Sequence, residues 1–135
     1  MKKILVLEGG FNEEHEVSLR TSKEVQKSLK RMKLKFEVLK VNPKNFSEKI
    51  KLYDKDFLCF NALHGTYGED GTIQKILEKN KLSYTHSDSK ASKIGFDKNL
   101  TKLKIKKNGI PFLKSILLEK SQIKLEELHK VYKKY

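Results

Sequence analysis

The stretch Asn61 to Gln74, NALHGTYGEDGTIQ, gathers the residues of this chain best suited to chemistry. His64 could bind a ligand or take part in proton transfer near neutral pH, or it could be a loop histidine bonded to backbone. Glu69 and Asp70 follow close behind, and a carboxylate there could orient the imidazole or cap the next helix through its exposed amides; capping is the simpler role for Asp70. A second small loop, Glu8-Gly9-Gly10, pairs two glycines that allow a tight turn and close approach of the backbone to a ligand. Glu14, where that loop passes into a helix, could accept hydrogen bonds from a ligand ammonium or could favour the positive end of the helix dipole. The His64, Glu69, Asp70 spacing is not a zinc pattern, and the single cysteine, Cys59, lies elsewhere, so no metal site is expected. Neither the G-x-G-x-x-G fingerprint nor a G-x-x-x-x-G-K-[ST] phosphate loop is present.

The elements that must position these groups follow from the apolar patterning. Ile4 to Leu7 is a short continuous apolar run, as expected of a strand buried on both faces of a parallel sheet. From about Glu16 a helix carries Ser18, Thr21, Ser22, Val25, Ser28, Leu29 and Met32 on one face, with small residues that permit close packing on the sheet. Phe36 to Val41 reads as a second strand closed by Asn42-Pro43, Phe46 to Leu52 as a weak short helix, and Asp56 to Ala62 as a third strand. Ile73 to Asn80 is a helix leading to a short Leu82-Ser83-Tyr84 segment. This is the pattern of an open, doubly wound, Rossmann-like α/β sheet, whose ligands sit beyond the carboxyl ends of the strands. Both glycine loops follow such ends and should converge on one site. Beyond a turn-rich linker at Thr85 to Ser89, helices are expected over Lys90 to Phe96 and Asp97 to Lys107, closed by Asn108-Gly109. A strand-like Phe112 to Leu118 and a last helical piece over Lys124 to Tyr135 complete the chain.

Composition narrows the function classes. Lys and Arg outnumber Asp and Glu by 30 to 17, giving a net charge of +13. Only Arg20 and Arg31 are arginines, the residue preferred for bidentate phosphate and guanine contacts, and tryptophan is absent, so nucleic acid is not the expected partner. The lysine excess suits a solvated surface or an anionic small molecule. Cys59, inside an apolar strand, is expected to be a buried packing residue. No stretch approaches the roughly 20 apolar residues of a membrane span, and the amino terminus lacks the length of a secretory signal, so no membrane partner and a cytoplasmic protein are the default.

Three stretches, GGFNEEHEVSL, NALHGTYGEDGTIQ and YTHSDSKASKIGFDK, resemble in order and separation the successive signatures of D-alanine–D-alanine ligases of the ATP-grasp superfamily. The second is the most diagnostic, at Leu63, His64, Gly65, Gly68, Glu69, Asp70 and Gly71. The resemblance implies a pre-ATP-grasp amino-terminal domain over residues 1–87 and the start of an incomplete ATP-grasp central domain over residues 88–135. It implies a ligase that forms D-alanyl-D-alanine for peptidoglycan through an acyl phosphate, with D-alanine and ATP as partners, magnesium as the metal, and the homodimer its relatives commonly form. By the family's pattern Glu14 is the catalytic and substrate-binding carboxylate, with His64 beside it and Gly9 and Gly10 lining the amino-acid site. Glu69 holds His64, by analogy with carboxylates that fix a histidine's tautomer at metal sites, and Ser18 is a further supporting group. Lys98, in Phe96-Asp97-Lys98 where the family has Met-Asp-Lys, is the lysine that reaches the ATP phosphates.

The chain departs from the family pattern at Asn12, where a serine is usual, and at His86 and Asp88, where glycines are usual. Its 135 residues are also about half the family's length or less. No counterpart of the adenine clamp, the magnesium-holding acids or the groups that stabilise the phosphorylated intermediate is found in Asn99 to Tyr135. Two expectations follow: an amino-terminal part of such a ligase, inactive alone, or a free-standing module that binds a small amino acid or an anion without catalysis.

Overall fold

The computed structural model describes residues 2–118 and 125–134. Four parallel strands, β1 (Lys3–Gly9), β2 (Phe36–Val41), β3 (Phe57–Asn61) and β4 (Ser83–Tyr84), form one sheet in the order β2-β1-β3-β4. Helices α1 (His15–Arg31), α2 (Phe46–Lys49, running into a 3-10 turn at Ile50–Leu52) and α3 (Thr72–Lys79) are the crossovers. They are followed by α4 (Ser89–Phe96), α5 (Lys98–Lys107) and α6 (Leu125–Lys134). The doubly wound sheet expected from the sequence is therefore present.

Period-two alternation divides the strand residues between two cores. Leu5, Leu7, Phe57 and Cys59 point to the face covered by Phe46, Ile50, Ile73 and Leu77 of α2 and α3 and the turn between α2 and β3. Val6, with Ile4 and Phe60 packed beside it, points to the face covered by Leu29 and Val25 of α1. Each fully buried Leu or Ile contributes roughly 1.5–3 kcal/mol by leaving water. Cys59 is fully buried, and burial pushes its thiol up to about 12, so it packs as a hydrophobe. On α1 the buried residues nearest the strand ends are Ser18 and Ser22, small enough for the helix to lie close to the sheet.

One sequence expectation needs adjustment. Phe112 to Leu118 has no regular structure: no described strand lies alongside to pair with it, and a lone strand leaves its backbone groups unpaired. By packing, the chain divides into Met1–Thr101 and Lys102–Tyr135. Within the first unit, Glu78 of α3 joins the elements that follow it. Its carboxylate accepts the Tyr84 hydroxyl at 2.7 Å, the Ser89 amide at 2.8 Å and the Ser89 hydroxyl at 2.7 Å, tying β4 and the start of α4 to the sheet. Those hydrogen bonds, the Ser89 hydroxyl foremost, hold the Glu78 carboxyl below the usual range. Asp88 caps α4 through the Ala91 amide at 2.7 Å.

Gly71 is the tightest joint between α3 and α4. Its φ is +90°, and a Cβ there would be driven into the Ser89 carbonyl oxygen, which is backbone and cannot swing aside. Gly71→Ala should therefore cost at least about 1–2 kcal/mol from left-handed backbone alone, read as a lowered urea midpoint. Gly95→Ala, where a Cβ meets nothing inside α4, is the control and should be neutral or stabilising by about 0.5–1 kcal/mol. Equal effects of the two substitutions would refute this account of Gly71.

Candidate functional site

The register of the sheet sets the site. Leu7 lies opposite Asn61, and Gly9 opposite Val41, so the loops leaving β1 and β3 emerge at the same carboxyl edge. The first loop turns at Gly9 and Gly10, with φ of +97° and +87°. The Gly9 amide donates to Ser18 Oγ at 2.9 Å, and His15 Nδ1 lies 2.8 Å from the Gly10 carbonyl, so α1 grips the turn from above. The second loop folds back on itself. Asn61 Nδ2 and Gln74 Nε2 both donate to the Gly68 carbonyl at 2.8 Å, inside the core. At Gly68 a Cβ would lie 2.5 Å from Leu63 Cβ, which explains a glycine at that step.

The two loops are joined by Asn12. Its amide nitrogen donates to the His64 carbonyl at 2.7 Å and the Thr66 carbonyl at 2.9 Å, and its oxygen accepts the Glu14 amide at 3.0 Å. Glu14 occupies the N-cap position of α1 without accepting a capping hydrogen bond through its side chain. Its carboxylate lies instead against Gly65, where an added Cβ would collide with it. The Glu14 side chain thus makes no capping hydrogen bond to α1.

His64 is held on both sides. Its Nδ1 lies 3.4 Å from Glu69 Oε1 and its Nε2 2.9 Å from Thr21 Oγ. Glu69 Oε2 accepts the Gly65 amide at 3.0 Å, which steadies the carboxylate. Glu13, Glu14 and Glu69 face a hollow of about 770 Å³ together with Phe11, Gly65 and Phe96. A narrower cleft of about 470 Å³ is lined by Thr21, Asn61, His64, Glu69, Gln74 and Phe96. Glu69 and Phe96 border both. A hollow ringed by carboxylates suits a cationic group such as an ammonium.

Asp70 anchors the loop rather than the ligand. Burial opposes its charge, but the Tyr67 amide at 3.0 Å and the Thr72 side chain and amide, the latter at 2.9 Å, outweigh burial and hold its carboxyl below the usual range. Tyr67, with φ of +75°, packs edge-on against Phe46 at 6.3 Å; burial, then the Asp70 charge, pushes its hydroxyl up.

Among the described residues no group of three His, Cys, Asp or Glu side chains could hold a metal ion, and no helix is long and apolar enough to cross a membrane. Lys98 is exposed in the first turn of α5, just after Asp97, whose carboxylate caps that helix through the Asn99 and Leu100 amides at 2.8 and 2.9 Å. Lys98 lines neither cavity, although its neighbour Phe96 lines both. His86, with φ of +80°, lies in the wall of the narrower cleft, edge-on to Phe60.

No family model matches the chain. Over 110 residues it is 48% identical to the D-alanine–D-alanine ligase of Pelagibacter ubique, a match covering 81% of this chain and 35% of that protein. It is 44% identical over 110 residues to the ligase of the same name from Carboxydothermus hydrogenoformans, covering 81% and 34%. The chain is homologous to the amino-terminal part of D-alanine–D-alanine ligases. Its fold agrees: the crystal structure of the Bacillus anthracis D-alanine–D-alanine ligase complexed with ATP superposes with a TM-score of 0.79 at 34% identity, covering 97% of this chain and 45% of that one. The chain thus spans about a third of the length of the curated ligases it matches.

The structure places Glu14 and Glu69 on one hollow and His64 and Glu69 on the adjoining cleft, with Gly9 bonded to Ser18 and Gly10 in the turn beside them, and Lys98 lines neither cavity. Thr21 and Asn12 were not assigned contacts by sequence reasoning. Thr21 reads there as one more small residue on a buried helix face, and Asn12 as a departure from a serine. A signal for Asn12 did exist: an amide ahead of a helix can donate twice and accept once, more than a serine can offer.

The depressed Asp70 carboxyl gives a pH prediction. A carboxyl lowered in the folded state stabilises above its unfolded value and loses that contribution as pH falls through the folded one. The stability difference between the wild type and Asp70→Asn should be largest near neutral pH and shrink as pH falls through and below the ordinary carboxylate range, measured by urea denaturation. A difference independent of pH would mean that the carboxylate charge is not what the loop amides recognise.

Proposed function

We propose that this chain is the amino-terminal, D-alanine-handling part of an ATP-dependent D-alanine–D-alanine ligase, acting in the cytoplasm in peptidoglycan synthesis. The observation that carries the reading is the meeting of the two glycine loops, with the Glu14 carboxylate against Gly65 and His64 backed by Glu69, in a chain homologous to such ligases. In this reading residues 1–87 form the amino-acid-binding domain and residues 88–135 begin the central ATP-grasp domain.

The chemistry asked of the segment is recognition. A D-alanine zwitterion needs an acceptor for its ammonium, and Glu14, exposed at the hollow with its carboxylate uncommitted to the helix cap, supplies one. A hydrogen bond of this charged kind is worth roughly 1.5–3 kcal/mol. Gly9 and Gly10 keep the neighbouring backbone free of side chains, Ser18 fixes their turn, Glu69 shapes the opposite wall of the hollow, and His64 lines the adjoining cleft that Glu69 also borders. ATP, when bound, supplies the phosphoryl group that activates the first carboxylate toward the amine of the second amino acid. Lys98 is the one residue of this segment assigned to its phosphates, and a single exposed lysine makes neither an adenine site nor a magnesium site. Among the described residues no ligand set for magnesium is found, and a homodimer is part of the same proposal.

Two outcomes are expected. The 135-residue chain, given ATP, magnesium and D-alanine, should release no phosphate above background in a coupled assay. In a ligase-length protein carrying this segment, Glu14→Gln should raise KM for the first D-alanine about ten- to a hundredfold while leaving KM for ATP near its starting value. An effect on ATP alone would remove Glu14 from the amino-acid site.

A further inference from the structure

We propose that Thr21 is a positioning residue which, opposite Glu69, fixes the neutral His64 ring as its Nδ1–H tautomer at the head of the narrower cleft. The proposal rests on the reading that His64 belongs to the amino-acid site, and it assigns a role to a helix residue that the loop signatures leave out. Glu69 faces Nδ1 at 3.4 Å and is steadied by the Gly65 amide on its other oxygen at 3.0 Å. An ionised carboxylate only accepts hydrogen bonds, so the ring nitrogen that faces it carries the proton. The neutral ring then has its lone pair on Nε2, and that nitrogen needs a donor. The Thr21 hydroxyl, 2.9 Å away, is that donor.

The placement of Thr21 is set by helix geometry. It lies three residues after Ser18, on the same face of α1, and Ser18 Oγ accepts the Gly9 amide at 2.9 Å. A single helix face therefore fixes the backbone of the first loop and the histidine of the second. Threonine also restricts χ1, so the hydroxyl reaches the ring from a stiff stem. With Nε2 engaged by Thr21 and Nδ1 facing the Glu69 carboxylate, His64 presents a fixed dipole and the carbon edge of its ring to the cleft. It offers no free lone pair to an ammonium, which leaves the ammonium to the Glu14 carboxylate.

The test reads the tautomer directly, without ligand or turnover. Long-range proton–nitrogen spectra of the 15N-labelled chain, at about pH 8.5 where imidazoles are neutral, report which ring nitrogen bears hydrogen. His64 is assigned by the signals lost in His64→Gln. The expected result is the Nδ1–H pattern for His64 in the wild type, a shift toward the Nε2–H form that free histidine favours in Thr21→Val, and return of the wild-type pattern in Thr21→Ser. An Nε2–H pattern in the wild type overturns the proposal, and that spectrum decides even if Thr21→Val does not fold. An unchanged tautomer in folded Thr21→Val also overturns it. Failure of the Glu14→Gln prediction would leave these spectra untouched, so the two readings fall separately.

Discussion

The Asn12 side chain gives both of its amide protons across the gap between the glycine loops, to the His64 and Thr66 carbonyls, while its oxygen receives the Glu14 amide. All three polar positions of that amide are used. The consequence reaches every group in the candidate site. The Glu14 backbone is fixed by the bond it donates, the carbonyl next to the His64 ring is fixed by the bond it accepts, and Gly65 is pinned between the two accepted carbonyls with no room for a side chain beside the Glu14 carboxylate. A serine, with one hydroxyl proton, could satisfy only one of those carbonyls at a time. Asn12 is therefore a stronger clamp than the residue usual at that place in the ligase signature, and its departure from the pattern is compatible with the site.

The clamp works because parallel pairing has already delivered the loops to one edge. With β1 between β2 and β3, and Leu7 in register with Asn61, the chain leaves both strands at the same level. The glycines then decide how far each loop can bend. Gly9 and Gly10 take left-handed backbone to turn under α1, and Gly68 lets the second loop close on Leu63 so that its carbonyl meets Asn61 and Gln74 in the core. Buried amides on one carbonyl would be costly if unpaired, and here they fix the loop from beneath while Asp70 fixes it from its helix end.

Most of this architecture is legible in the residue pattern, since the strands β1, β2 and β3 are short, largely apolar and bounded by turn residues. What the pattern does not carry is pairing at a distance. Phe112 to Leu118 has strand-like composition, but a strand needs a neighbour, and composition does not say whether one exists. The same limit applies at Glu78, where one exposed carboxylate on α3 collects Tyr84 and Ser89. In the site, Glu14, His64 and Glu69 stand out by residue type and neighbourhood. Thr21 does not, because a threonine on a helix face facing a sheet has the same spacing whether it packs or bonds.

Charge and placement together explain why a segment of net charge +13 presents an acidic hollow. The lysines are long and solvated, and in the last third of the chain they accumulate on helices such as α5, whose final turn carries Lys104, Lys106 and Lys107 at the negative end of its dipole. The carboxylates at the strand ends are short of room to leave: Glu69 is bonded to the Gly65 amide, and Glu14 starts a helix whose backbone is tied through Asn12. Local field, rather than net charge, governs what a cleft recognises, since exposed lysines more than about 10 Å away are screened by physiological salt while adjoining carboxylates act at contact distance. A hollow lined by these carboxylates suits a cationic amine.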